Sequence, residues 1–214
     1  MTHGDPTFWW VIKNRSSVRR FTSDPVPQEM VDKLLEAGRL APVAGGNRNV
    51  TVQVFDDPAY IAALAEGVGR ECRQTIINAT GHHPELANDT LAYSEKNFSW
   101  FGKAPIVLAI SCRKTPPYMR EYVPLIADDL FGGRASASMS IENILLAATA
   151  MGLGACCLTG PLFARKWLEK ELKTPPQNVL VALVPLGFPA KAEKDSPDPG
   201  NAEMRPTERP LLKA

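Results

Sequence analysis

No stretch of this 214-residue chain stays apolar for the ~20 residues that a bilayer-spanning helix requires. Its beginning, Met-Thr-His-Gly-Asp-Pro, has neither the basic nor the apolar region of a secretory signal, so a cytoplasmic location is the expectation. Charge of one sign is missing too: 24 Lys and Arg oppose 23 Asp and Glu, a net of +1. That balance speaks against the wide basic surface of a nucleic-acid binder. Histidine is scarce. His82 and His83 stand before Pro84 without a carboxylate or third histidine at helical spacing, which fits a solvated loop better than a metal site. The four cysteines, Cys72, Cys112, Cys156 and Cys157, form no C-x-x-C pair. Cys156 and Cys157 adjoin within an apolar run and are expected as buried free thiols, with a catalytic cysteine as the lesser reading. The P-loop, the G-x-S-x-G elbow and the H-E-x-x-H pattern are all absent. A chain so poor in nucleophiles and bases of its own leaves the reaction to a bound cofactor.

What is present is an ordinary globular composition, 44% apolar and 22% charged, enough for one domain over residues 1–214. Asp5-Pro6 reads as the N-cap and first-turn proline of a short helix through Phe8, Trp9, Val11 and Ile12. Pro27 suits the first position of the next helix. There Met30, Leu34 and Ala37 keep a 3.6-residue stripe that must end near Ala41, ahead of Pro42. Val50–Phe55 alternates and is β-branched, which predicts a strand. Residues 58–101 read as helical with polar interruptions. The apolar runs Pro105–Cys112 and Val179–Leu186 predict buried strands. From about Leu125 to Met151 the sequence predicts a long helix rich in Ala and Ser, stopped by Gly152. Small residues on more than one of its faces imply close contact with other helices or a second subunit. Cys156–Leu158 is a short strand or turn, Phe163–Leu172 a helix, and a proline-rich charged tail runs from Phe188 to Ala214. Helices outnumber the dispersed strands, so the class is α+β, a small mixed sheet flanked by helices.

The chemistry concentrates in residues 14–27, Asn-Arg-Ser-Ser-Val-Arg-Arg-Phe-Thr-Ser-Asp-Pro-Val-Pro. Arg15, Ser17 and Arg19 alternate, and alternation in an extended segment sends them to one side. Two guanidiniums and a hydroxyl gathered there suit a phosphate and an electron-rich heterocycle. Alone, this pattern would read as a solvated basic turn; the downstream segments favour binding. Gly152-Leu-Gly154 superficially matches a dinucleotide fingerprint, but Cys157 holds the third glycine position. The segment also leads from a helix into a strand, the reverse of what a pyrophosphate site needs.

Several segments together resemble the nitroreductase family of FMN-dependent oxidoreductases. The opening pattern R-x-S-x-R-x-F corresponds to Arg15–Phe21, followed by Pro25-Val-Pro27 and the L-x-x-A helix at Leu34–Ala37. The A-P-S-x-x-N-x-Q loop is similar to Ala41–Asn49. The N-x-x-L-A-A-x-x-x-G-L-G helix ending is similar to Asn143–Gly154, and Leu186-Gly187-Phe-Pro189 and Arg209-Pro-Leu resemble the closing elements. The match is poor between about residues 60 and 100. Val43 stands where the family has Ser, and Asn49-Val50-Thr51 where it has Gln-Pro-Trp.

The resemblance implies an intertwined homodimer with two shared sites and FMN held by Arg15, Ser16, Ser17, Arg19, Pro42, Val43, Ala44, Asn47, Asn49, Leu158, Thr159, Gly160 and Arg209. Arg15, Ser17 and Arg209 would take the phosphate and ribityl chain, Arg19 the N1/O2 edge, and backbone at Leu158–Gly160 the ring. Asn49 would face the pyrimidine edge, with Asn47 or Arg48 as alternatives. The implied reaction is ping-pong, from NADH or NADPH through flavin N5 to a small organic acceptor such as a nitroaromatic or quinone, with no metal and no catalytic side chain. The alternatives are a flavin-dependent dehydrogenase or oxidase of a biosynthetic intermediate, a non-catalytic flavin sensor or storage protein, and a helical interaction protein alike in fold only.

Overall fold

The computed structural model of the chain describes residues 7–44, 49–81, 84–115 and 132–190. Helix α1 (Phe8–Asn14) is capped by Thr7, whose Oγ1 accepts from the Trp10 N–H at 3.3 Å. This corrects the expected Asp5 cap, which lies outside the described residues. Helix α2 (Gln28–Arg39) begins one residue after Pro27, which occupies its N-cap. Strand β1 (Val50–Phe55) is followed by α3 (Pro58–Thr80), α4 (Pro84–Asn97) and a 3-10 turn, Trp100–Lys103. Asp57 caps α3 by accepting from the Ala59 and Tyr60 N–H groups. Then come β2 (Ile106–Arg113), α5 (Gly133–Ala150), β3 (Gly154–Ala155), a 3-10 turn at Gly160–Ala164, α6 (Arg165–Glu171) and β4 (Asn178–Gly187). Among the described residues no helix is long and apolar enough to cross a membrane.

The sheet runs β1-β2-β4-β3, and every neighbouring pair is antiparallel. Among the described residues, the parallel component expected of a mixed sheet is confined to one bridge, between Ser17 and Ala155. Helices cover both faces. Val107, Ala109, Leu180 and Leu183 pack toward α3, α6 and the 3-10 turns. Ile106, Leu108, Ile110, Ala182 and Val184 pack toward α2 and α5. Burial on both faces explains why the two central strands read as unbroken apolar runs.

Helix α5 is shorter than expected. Gly132, at its N-cap, has φ 59, and this left-handed backbone stops the helix from continuing back toward Leu125. Residues 125–131 lie outside the described residues. Its small residues serve a close crossing with α2: a Cβ on Gly38 would stand 2.9 Å from Ile144 Cδ1 and 3.0 Å from Ser140 Oγ. Helix α1 lies against α5 as well, with Val11 buried but Phe8, Trp9, Trp10 and Ile12 exposed.

After α1 the chain joins the edge of the sheet. The Val18 N–H donates to the Ala155 carbonyl at 3.1 Å, Thr22 to Phe188 at 2.9 Å, and Ala190 to Arg20 at 3.0 Å. Gly154 makes this seam possible, since a Cβ there would fall 2.5 Å from Val18 Cγ1. Gly154→Ala is therefore expected to cost about 1–3 kcal/mol of folding stability through overpacking. Denaturant titration measures it, and an unchanged midpoint would contradict the seam.

Candidate functional site

The opening segment places Arg15, Ser17 and Arg19 between α1 and the sheet edge. Val18 lies over Gly154, and Ser17 joins the sheet through a bridge to Ala155. Arg15, Ser17 and Arg19 are half-buried, whereas Arg20 is exposed. Arg19 Nη1 donates to the Ser17 carbonyl at 3.5 Å, which folds that guanidinium back along the strand. Arg15 ends α1, its N–H donating to Val11. Its Nε lies 3.8 Å from Glu142 Oε1 on α5, with side-chain exposures of 33% and 52%. A pair this wet is worth at most about 1 kcal/mol, so it orients more than it stabilises.

Beside the seam, the chain after β3 continues along β4. Cys156 N–H donates to the Pro185 carbonyl, and Leu158 exchanges hydrogen bonds with Leu183. Thr159 and Gly160 follow, and Gly160 is held tightly: a Cβ there would meet the Phe98 ring at 2.2 Å. All four cysteines are free; Cys156 is buried as expected, as are Cys72 and Cys112, but Cys157 is exposed, which corrects the expected buried pair. Strand alternation gives the reason, turning Cys156 into the core and its neighbour outward. Although the residue is exposed at the surface, neighbouring atoms crowd water from the Cys157 thiol, and with Cys156 and Glu142 nearby it is pushed up to about 11. A thiol so rarely ionised near neutral pH is a poor nucleophile, which weighs against a catalytic cysteine.

The glycine-rich loop sits elsewhere. The Ala44 N–H donates to Ser136 Oγ at 3.0 Å, and that hydroxyl donates to the Gly132 carbonyl at 2.8 Å. Pro42, Val43 and Ala44 are thereby tied to the first turn of α5. Asn49 accepts the Arg113 N–H at 2.8 Å through its carbonyl. Its side chain is buried, and Oδ1 has no hydrogen-bond partner. An orphaned buried acceptor is costly and marks a place where a donor is missing. Asn47, Arg48 and Arg209 lie outside the described residues.

Among the described residues, the Ser17 bridge and Asn49 lie at opposite ends of β2. Ser17 pairs with Ala155, which stands opposite Leu186 and so in line with Ile106 on β2. Asn49 pairs instead with Arg113, at the other end of β2. The run from Ile106 to Arg113 spans roughly 23 Å along the strand. Clefts of about 350 Å³ beside Thr22, Val54 and Lys103 and about 470 Å³ beside Gln53, Tyr60 and Glu171 include none of the expected site residues. No group of three metal-ligating side chains occurs among the described residues. The sequence reading passed over Glu142, although it is the one acidic residue of α5 and thus a signal in plain view.

Comparison with known proteins places this geometry. A model described as "Nitroreductase family" matches residues 12–188. The 5,6-dimethylbenzimidazole synthase of Rhodobacter capsulatus is 27% identical over 185 residues, covering 84% of this chain and 82% of that one. A BluB-like flavoprotein from Clostridium difficile 630 shares the fold with a TM-score of 0.78 at 22% identity, covering 96% of this chain and 95% of that one. A nitroreductase with bound FMN from Bacteroides fragilis shares it with a TM-score of 0.65 at 18% identity, covering 89% and 94%. With the family match spanning most of its length, the chain belongs to the nitroreductase family.

Proposed function

We propose that the protein is an FMN-dependent oxidoreductase that works as a homodimer, each site combining the opening segment of one subunit with the Pro42–Asn49 loop of the other. The observation that carries this reading is the half-buried Arg15, Ser17 and Arg19 set at the sheet edge, beside the Leu158–Gly160 backbone. The relatives that bear flavin in their names support the cofactor. Bound FMN would supply a ring that takes two electrons as hydride from NADH or NADPH and passes them to a small organic acceptor.

The chain's own groups then hold and tune it. Arg15 and Ser17 offer charge-assisted donors to the phosphate, joined by Arg209. Arg19 sets a fixed positive charge near the N1/O2 edge, which favours the reduced, anionic ring. The orphaned Asn49 Oδ1 is an acceptor suited to the N3–H of a pyrimidine edge, the role the family gives to Gln. Backbone at Leu158–Gly160 would lie against the ring. The exposed Phe8, Trp9, Trp10 and Ile12 of α1, together with Met139 on α5, form the apolar face a second subunit would cover.

A second reading is a flavin-dependent enzyme acting on a biosynthetic intermediate with oxygen as acceptor, favoured by the likeness to 5,6-dimethylbenzimidazole synthase. Anaerobic NADH or NADPH is expected to bleach the yellow protein within seconds to minutes. A coloured protein that neither nucleotide bleaches would set the reductase aside in favour of a sensor or storage role. Arg15→Ala is expected to weaken FMN binding tenfold or more, since a charge-assisted hydrogen bond is worth about 1.5–3 kcal/mol. Fluorescence titration gives the number, and equal affinity would remove Arg15 from the site.

Assembly provides a separate check. Light scattering at submicromolar concentration is expected to give twice the 23.4 kDa chain mass. A folded, flavin-bound monomer would sink the shared site.

A further inference from the structure

We propose that Glu142 is a positioning residue for Arg15, holding the Nε side of its guanidinium so that the two terminal nitrogens face the bound phosphate. This rests on the FMN reading of the opening segment and assigns a function to a side chain outside the expected set. The contact runs from Glu142 Oε1 to Arg15 Nε at 3.8 Å, the inner side of the guanidinium. A guanidinium carries five donors in a planar fork, and holding one side directs the rest.

Location strengthens the assignment. Glu142 also lies near Cys157, whose thiol it helps to raise. Cys157 is two residues beyond Ala155, where Ser17 pairs with the sheet. One carboxylate on α5 thus faces both the end of α1 and the seam. The Arg15 backbone is already fixed by its N–H bond to Val11 at 2.9 Å, but its long side chain is not. Arg loses much rotamer freedom when a ligand fixes it, and a brace that orders it beforehand lowers that cost of binding.

A rival account has the opposite sign. If Glu142 only adds negative charge near Arg15, it repels phosphate, and removing it must tighten binding. The test is fluorescence titration of FMN, and of riboflavin, into the flavin-stripped full chain. Positioning predicts that Glu142→Ala weakens FMN about fivefold, the scale of a partly exposed ion pair. At 3.8 Å the contact is an ion pair rather than a hydrogen bond, so Glu142→Gln, which removes the charge, is expected to weaken FMN binding to a similar extent. Riboflavin, which lacks the phosphate, is expected to bind all three alike. Tighter FMN binding by both variants, or no change in either, overturns the proposal.

Two controls keep the outcomes apart. Should Glu142→Ala fail to fold, Glu142→Gln takes its place: weakened FMN binding supports positioning, and wild-type or tighter affinity overturns it. If Arg15→Ala leaves FMN affinity unchanged, the fault lies with the site reading rather than with Glu142.

Discussion

The antiparallel register of β2 against β4 is the constraint on which the rest of the structure depends. It sets Ile106 opposite Leu186 and Arg113 opposite Asn178. Because β3 pairs with the Leu186 end, Ser17 and Val18 can join the sheet only there, through Ala155. Asn49 is fixed just as firmly at the Arg113 end. Since both central strands are buried on both faces, a one-residue slip would turn every core side chain to the wrong layer. The strand length, roughly 23 Å, therefore becomes the distance between a basic anchor and a buried amide acceptor. The shared site proposed above is built on that separation.

Close backbone approach is what lets the helices cover so small a sheet. Glycines stand where elements would collide: Gly38 at the α2–α5 crossing, Gly154 under Val18, and Gly187 beside Pro105, where a Cβ would come within 2.5 Å. Two of these three lie next to the opening segment. The seam that carries Arg15, Ser17 and Arg19 is thus held by packing and backbone hydrogen bonds. Glu142, from the helix that crosses behind, is the carboxylate that meets Arg15.

Much of this was legible in the sequence because the signals were local. The β-branched Val50–Phe55 and the apolar runs around Ile106 and Leu183 each declare their own structure. Other features depended on partners far along the chain. Nothing near Leu125 announces that Gly132 will adopt a left-handed backbone and delay α5 until Gly133. Cys156 and Cys157 look equivalent in an apolar run, and only strand pairing beside β4 sends one inward and the other out. Glu142 matters through Arg15, 127 residues earlier in the chain, a contact no short window contains. The separation of Ser17 from Asn49 belongs to the same class, since strand order and register decide it.

The central claim is that each site draws Arg15 from one subunit and Asn49 from the other. Mixing Arg15→Ala subunits with Asn49→Ala subunits tests it directly, by counting tight FMN sites after the chains are unfolded together and refolded as heterodimers. A site built from both subunits predicts one wild-type site per heterodimer, formed by the intact Arg15 of one chain and the intact Asn49 of the other, beside a doubly impaired one. If Arg15 and Asn49 served the same site from one chain, every site would carry a lesion, and no tight binding would return.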